Sequence, residues 1–262
     1  MEGHYSVDVI PDWKLAEVAG RYPCLVLPDW TNVGEVVRDE LLRYLRGGGR
    51  LLMIGAENAA LFREALGVRL LGEPSDQPAY LAGLEVFANV RGRWVDVDPA
   101  GAHVLETRFP TYDSTRDGKV AATLSSYGDG QVAAIYGPAG GVFAVTHAPE
   151  TRRFLARVLE QLFTPSFRIE GPPTVEAVRR RKGRLELLHL INATAMQVAS
   201  DYSAIDFVPP VGPLGLRIRM RQPPARVHFE PGGVAVRGAW SDGVWMGTLD
   251  RLDVHGVLVW ES

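Results

Sequence analysis

The stretch LLRYLRGGGRLLMIG, residues 41–55, decides the fold. Leu41, Leu42 and Leu45, with Val37 upstream, share one face of a helical wheel, so residues 34–46 (GEVVRDELLRYLR) read as an amphipathic helix. Gly47, Gly48 and Gly49 follow at once, where a helix C-terminus favours a residue that tolerates positive φ. RLLMI at 50–54 is then a short, nearly continuous apolar run, the mark of a buried strand, and Gly55 ends it.

The same rhythm extends outward. CLVLP at 24–28 is another apolar run, stopped by Pro28, Asp29 and Trp30, and YSVDVI at 5–10 alternates up to Pro11. NAALFREAL at 58–66 reads as a helix with Asn58 as N-cap and Gly67 as its stop. Alternating strands and helices predict crossover connections and an α/β fold. Its sheet would be mostly parallel, with helices on both faces. The middle differs: residues 84–97 and 103–107 alternate without helical periodicity, and KVAATLSSYGDGQVAAIY at 119–136 reads as a hairpin turning at Gly128-Asp129-Gly130. A glycine-rich step from Gly137 to Gly141, a short strand at 142–146 and an amphipathic helix at 150–162 complete this part.

Pro165 and Gly171-Pro172-Pro173 mark a boundary. Beyond it, residues 174–180, 184–191, 214–220, 225–229, 233–238, 244–249 and 254–260 read as short strands at the spacing of a small all-β sandwich. The expected domains are 1–164 and 165–262.

Composition narrows the function. Of 262 residues, 46% are hydrophobic and 23% charged, enough to build a core without metal or disulfide support. The net charge of −3 and pI near 6.1 argue against nucleic acid or an anionic membrane as partner. Cys24 is the single cysteine, so an intramolecular disulfide and a thiolate metal cluster are excluded. The six histidines show no tight ligand spacing, so no metal and no cofactor is expected. The N-terminus carries neither a basic n-region nor an apolar h-region, and no run approaches the length of a membrane span, which points to a cytoplasmic protein.

Four stretches together resemble a known arrangement: YPCLVLPDW (22–30), LLRYLRGGGRLLMIG (41–55), YGDGQVAAIYGPAGG with THAPETRRFLARVLEQL (127–141 and 146–162), and LLHLINAT (187–194). They are similar to the β-galactosidase trimerisation domain and its relatives in bacterial glycoside hydrolases, including α-L-fucosidase-like enzymes. The resemblance implies a flavodoxin-like, class I glutamine amidotransferase-like α/β domain followed by a β-sandwich. It also implies a catalytic TIM barrel that these residues do not supply, and a first strand and helix that the relatives carry before YSVDVI. A homo-oligomer, or a catalytic barrel domain, is the partner it implies.

An amidotransferase needs a cysteine on a sharp strand-to-helix elbow. The comparable elbow, Ile54-Gly55-Ala56-Glu57-Asn58, has neither Cys nor Ser, and Cys24 lies in an apolar run as a core residue would. No catalytic residue is therefore expected. Ligands of such folds bind outside the carboxyl ends of parallel strands. Asp29, Trp30 and Asn32 follow one strand end, Glu57 and Asn58 another, and His147 the strand at 142–146. These six are candidates for contacting a carbohydrate, with Trp30 as a stacking platform, or a neighbouring subunit. The competing reading makes Asp29 and Asn58 turn or cap residues, packs Trp30 on a neighbour and makes His147 a loop tie. A small glycoside hydrolase using Glu57, Asp29 and His147 is a further alternative. The basic run Arg179, Arg180, Arg181 and Lys182 reads as a solvated strand end. Asn192-Ala193-Thr194 matches a glycosylation sequon.

Overall fold

A computed structural model describes residues 2–82, 86–115, 117–194, 197–198, 203–204 and 207–261. The chain divides into two compact units, Ile10–Thr164, and Met1–Val9 together with Pro165–Ser262.

In the first unit, three short helical turns between Asp12 and Arg21 precede β1 (Leu25–Leu27), α1 (Glu35–Arg46), β2 (Arg50–Ile54) and α2 (Ala56–Leu61). Then come β3 (Tyr80–Ala82), β4 (Phe87–Asn89), β5 (His103–Phe109), β6 (Lys119–Tyr127), β7 (Gly130–Ile135), α3 (Ala139–Thr146) and α4 (Pro149–Leu159). One seven-stranded sheet runs β1-β2-β7-β6-β5-β3-β4. Among the described residues of this sheet, only β1–β2 and β2–β7 pair in parallel, and the other pairings are antiparallel. The expected mostly parallel sheet is thus a mixed sheet. The reason lies in the connections. Parallel neighbours need a crossover, and the strand–helix–strand rhythm stops after β2, whereas the alternating residues that follow pair as neighbouring antiparallel strands.

Helix α1 buries Leu41, Leu42 and Leu45, the stripe read from the sequence. Its end closes through Gly47 N–H donating to Arg43 O (3.1 Å) and Gly49 N–H donating to Tyr44 O (2.9 Å), with Gly48 at φ +93°. The β6–β7 turn is Gly128-Asp129, with Tyr127 opposite Gly130. Its tip sits on the end of α1: Asp129 N–H donates to Arg46 O (3.3 Å), and Gln131 N–H donates to Gly49 O (3.0 Å). A methyl group on Gly128 would meet Arg46 Cα at 2.7 Å, and one on Gly130 would overlap the carbonyl oxygens of Leu45 and Gly49. Glycine is required here because backbone approaches backbone. Behind the tip, Val132, Ala133, Ala134 and Ile135 are buried, as are Leu51, Leu52, Met53 and Ile54 on the adjacent β2.

Three further expectations change. Residues 142–146 belong to helix α3, not to a strand. AGGVFAVT is rich in β-branched and aromatic residues, but its backbone closes on itself: Val142 N–H donates to Pro138 O (2.9 Å) and His147 N–H to Phe143 O (2.8 Å), the i to i−4 bonds of a helix. Asn58 is the third residue of α2, whose N-cap is Gly55, so it is not a cap. Residues 5–10 form no ladder, and Asp8 pairs with Arg180 (3.3 Å) in the second unit.

The second unit holds β8 (Phe167–Glu170), β9 (Val175–Lys182), β10 (Leu185–Asn192), β11 (Leu214–Arg219), β12 (Val227–Glu230), β13 (Val234–Ala235), β14 (Gly238–Ser241), β15 (Val244–Leu249) and β16 (His255–Glu261). Two antiparallel sheets, β8-β11-β15-β14 and β9-β10-β16-β12-β13, share one core. Leu214, Leu216, Ile218 and Trp245 come from the first sheet, and Val175, Ala177, Leu188, Leu190 and Leu258 from the second. Asn192 is buried, and its amide donates to Pro209 O and Asp253 O at 2.8 Å, so the sequon asparagine is a structural tie.

Gly130→Ala is expected to destabilise the first unit by about 3 kcal/mol, since neither carbonyl can retreat without breaking the bond it accepts, Leu45 O from Gly48 N–H and Gly49 O from Gln131 N–H. Gly20→Ala, with no neighbouring atom within 4 Å of the added methyl, should stay within about 0.5 kcal/mol of the parent. Urea unfolding of both variants checks the contrast.

Candidate functional site

The site grows from the turn that ends β1. Trp30 N–H donates to Pro28 O (2.7 Å), so the chain reverses immediately and carries Asp29 over the carboxyl end of β2. Asp29 Oδ1 occupies the place a side chain at Gly55 would need, and Asp29 Oδ2 lies 3.6 Å from where one would start at Gly141. Gly55 has φ +110°, and its N–H donates to Ile135 O (3.0 Å). Glycine at position 55 makes room for the carboxylate, which lies in van der Waals reach of Gly141 near the start of α3.

Asn58 is buried, and its amide donates to Ile54 O (2.8 Å) and Pro28 O (3.1 Å). It ties the ends of β1 and β2 together and is consumed in doing so. Glu57 pairs with Arg93 (2.7 Å) at the surface. Asp29 makes no hydrogen bond or ion pair with any described residue. Its partial burial, aided by the negative charge of Glu57, holds its carboxyl above the ordinary carboxylate range.

The structure therefore gathers Asp29, Glu57 and Asn58 at the strand ends. Trp30 is 38% exposed beside them, and Asn32 is exposed in the following loop. His147 is not part of the cluster. It ends α3 in the left-handed conformation (φ 51°), its N–H donates to Phe143 O (2.8 Å), and its ring meets Phe143 edge-on at 5.8 Å. Six residues separate it from Gly141, a rise of about 9 Å along the helix. The elbow at Gly55-Ala56-Glu57 carries no nucleophile. Cys24 offers none either: burial pushes its thiol up to about 11, so it stays protonated at neutral pH. Among the described residues, no group of three or more His, Cys, Asp or Glu is placed to hold a metal.

Two features escape a sequence reading. Arg93 reaches Glu57 across 36 positions, brought there by the ladder of Gly92–Trp94 with Ser75–Gln77. Helix α3 is the other. AGGVFAVT contains no ionisable residue, only Ala139 is buried, and Val145 is 84% exposed. An apolar helix thus lies at the surface next to the Asp29–Trp30 turn. None of the helices among the described residues is long and apolar enough to cross a membrane.

The folded chain holds the Asp29 proton more tightly than the unfolded chain does, so ionisation of Asp29 costs stability. That cost is absent below the ordinary value of 3.8 and is complete once pH has risen through the raised folded value. Asp29→Asn should raise the melting temperature at pH 7 by on the order of 2 °C and lose this advantage at pH 3. An equal shift at both pH values in thermal scans would refute the electrostatic cause.

No protein-family model matches the chain, and no curated protein matches it in sequence. Solved structures do match in fold. Alpha-L-fucosidase isoenzyme 2 from Paenibacillus thiaminolyticus superposes with a TM-score of 0.82 at 18% identity, over 100% of this chain and 43% of that one. Gan42B, a GH42 beta-galactosidase from G. stearothermophilus, gives 0.62 at 18% identity, over 100% of this chain and 34% of its own. The beta-galactosidase from Rahnella sp. R3 gives 0.56 at 18%, over 100% and 35%. The chain spans less than half the length of each of these glycoside hydrolases, and at this identity the likeness is one of fold.

Proposed function

We propose that this chain is a non-catalytic accessory region of a glycoside hydrolase. In this reading the first unit is an amidotransferase-like domain without its nucleophile, and it serves oligomeric assembly or the shaping of an active site carried by a catalytic barrel. The observation that carries it is α3. Four of its eight residues, Gly141, Ala144, Val145 and Thr146, are exposed on a helix that carries no charge, and Val145 is 84% exposed. Removing a side chain such as Val145 from water is worth about 1.5–3 kcal/mol, so α3 with Trp30 can anchor a partner. A second copy of the chain suits it, because α3 itself carries no charge to be desolvated where α3 meets α3. The full-length match of this chain to about a third to two-fifths of each glycoside hydrolase agrees with an accessory role.

A second reading rests on Asp29. An unpaired, half-buried carboxylate beside an exposed indole is a fair sugar-binding pair, with ring stacking plus directed hydrogen bonds. Saturable quenching of fluorescence by neutral oligosaccharides, lost in Trp30→Phe, would favour it.

Light scattering over a concentration series tests assembly. The parent chain should form a defined oligomer. Val145→Asp should shift it toward monomer by at least tenfold in dissociation constant with unchanged circular dichroism, because the new carboxylate would be desolvated in the contact. A folded monomer at all concentrations would overturn oligomeric assembly.

A further inference from the structure

Leu188, Leu190 and Leu258 belong to the sandwich core, so strand alternation turns His189 of β10 and His255 of β16 to the outer face of the same sheet. The register sets His189 opposite Val257 and Ile191 opposite His255, which makes the two histidines diagonal neighbours on adjacent strands. Their side chains meet. His189 Nδ1 lies 3.2 Å from His255 Nε2, the ring planes differ by 11°, and the ring centroids are 5.5 Å apart. That separation is the nitrogen–nitrogen contact plus two ring radii, so the rings lie edge to edge in nearly one plane with the two nitrogens facing each other. A span of 66 positions separates the pair, which hides it from any reading of ligand spacing.

Facing nitrogens suit a metal as well as a proton. Two imidazoles on one tetrahedral ion at about 2.0–2.1 Å place their nitrogens about 3.3 Å apart. The pair already stands near that spacing. Each ring needs a swivel of only about 35° for both lone pairs to meet on one ion, and histidine χ2 is a broad torsion. The hydrogen bond is no obstacle. The proton between the rings moves to the distal nitrogen of its own ring, so each imidazole keeps one N–H and stays neutral. Burial, with His255 and Arg180 nearby, holds His189 below the ordinary histidine value, in the neutral form that a metal requires.

The surroundings tolerate a cation. Val178, Val257 and Ile191 flank the pair. The charged or titratable groups that share its face are Glu176 and Arg180 on β9 and His228 and Glu230 on β12, with Asp8 joined to Arg180 at 3.3 Å. Three carboxylates thus stand against one guanidinium. Lys182 and Glu261, of opposite charge, lie two rows further along the sheet.

We propose that His189 and His255 form a two-histidine site for a zinc or copper(II) ion on the outer face of the sandwich, with solvent completing the coordination. Imidazole suits both ions, and hard ions such as magnesium prefer oxygen. The site shares no residue with the surface around α3 and does not depend on the accessory reading.

Titration of the whole chain with zinc chloride and copper(II) chloride at about pH 7.5, with magnesium chloride as control, tests it. At least one of the two ions should bind the parent with one more equivalent than it binds the His189→Ala/His255→Ala double variant, in which the other four histidines remain. Each single variant should weaken this site by at least about tenfold. The copper spectrum in electron paramagnetic resonance should show two equatorial nitrogens in the parent. Binding should be lost at about pH 5.5, where protons compete for both rings. Metal-free melting confirms that the variants fold, and His255→Gln, at an exposed position, repeats the test should His189→Ala not fold. No equivalent beyond the double variant, an affinity untouched by the single variants, or equal binding of magnesium would overturn the proposal.

Discussion

The first unit depends on a close approach of backbone to backbone. The tip of the β6–β7 hairpin rests on the glycine-rich end of α1, with no side chain between them at Gly128 or Gly130. This seat brings β7 alongside β2 and so joins the short parallel part of the sheet to its antiparallel part. Beyond Ile135 the same ladder continues into Gly55 N–H, whose positive φ makes room for Asp29. The helix cap, the central strand pair and the candidate site are therefore one mechanical chain. Residues 41–55 and 127–137 set it up because glycines fall at each point where two backbones, or a backbone and a carboxylate, must meet.

Legibility in the sequence follows from whether local pattern and tertiary burial agree. In α1, α4 and the sandwich strands the apolar period is also the period of burial, so they could be read directly. In α3 no period exists, because every position is apolar or small, so the pattern could not tell helix from strand. The parallel expectation failed for a related reason. One strand–helix–strand unit was visible, but the pairing of everything after β2 depends on which strands meet over long separations. Arg108 shows the limit most clearly. It is 2% exposed, lies 4.8 Å over Trp94, and is neutralised by Asp96, which also holds Lys119 at 2.6 Å. Burial lowers its pKa, yet no neighbouring residue in sequence announces it.

At the candidate site, strand-end logic located Asp29, Glu57 and Asn58 because the parallel core β1-β2-β7 is real. It could not tell the tied Asn58 from the unpaired Asp29, since that difference lies in which carbonyls the amide reaches. It also misplaced His147, whose position depended on a strand that is a helix. What remains is a site with a carboxylate, an exposed indole and an uncharged helix, and no nucleophile.

Hydrogen–deuterium exchange at two protein concentrations tests the central claim most directly, because it reports where a partner lands as well as whether one does. Slower exchange at high concentration, confined to residues 29–32 and 139–147, is the result predicted for assembly through α3 and Trp30. Exchange in those segments that is the same at both concentrations, while the chain self-associates elsewhere or stays monomeric, would contradict it.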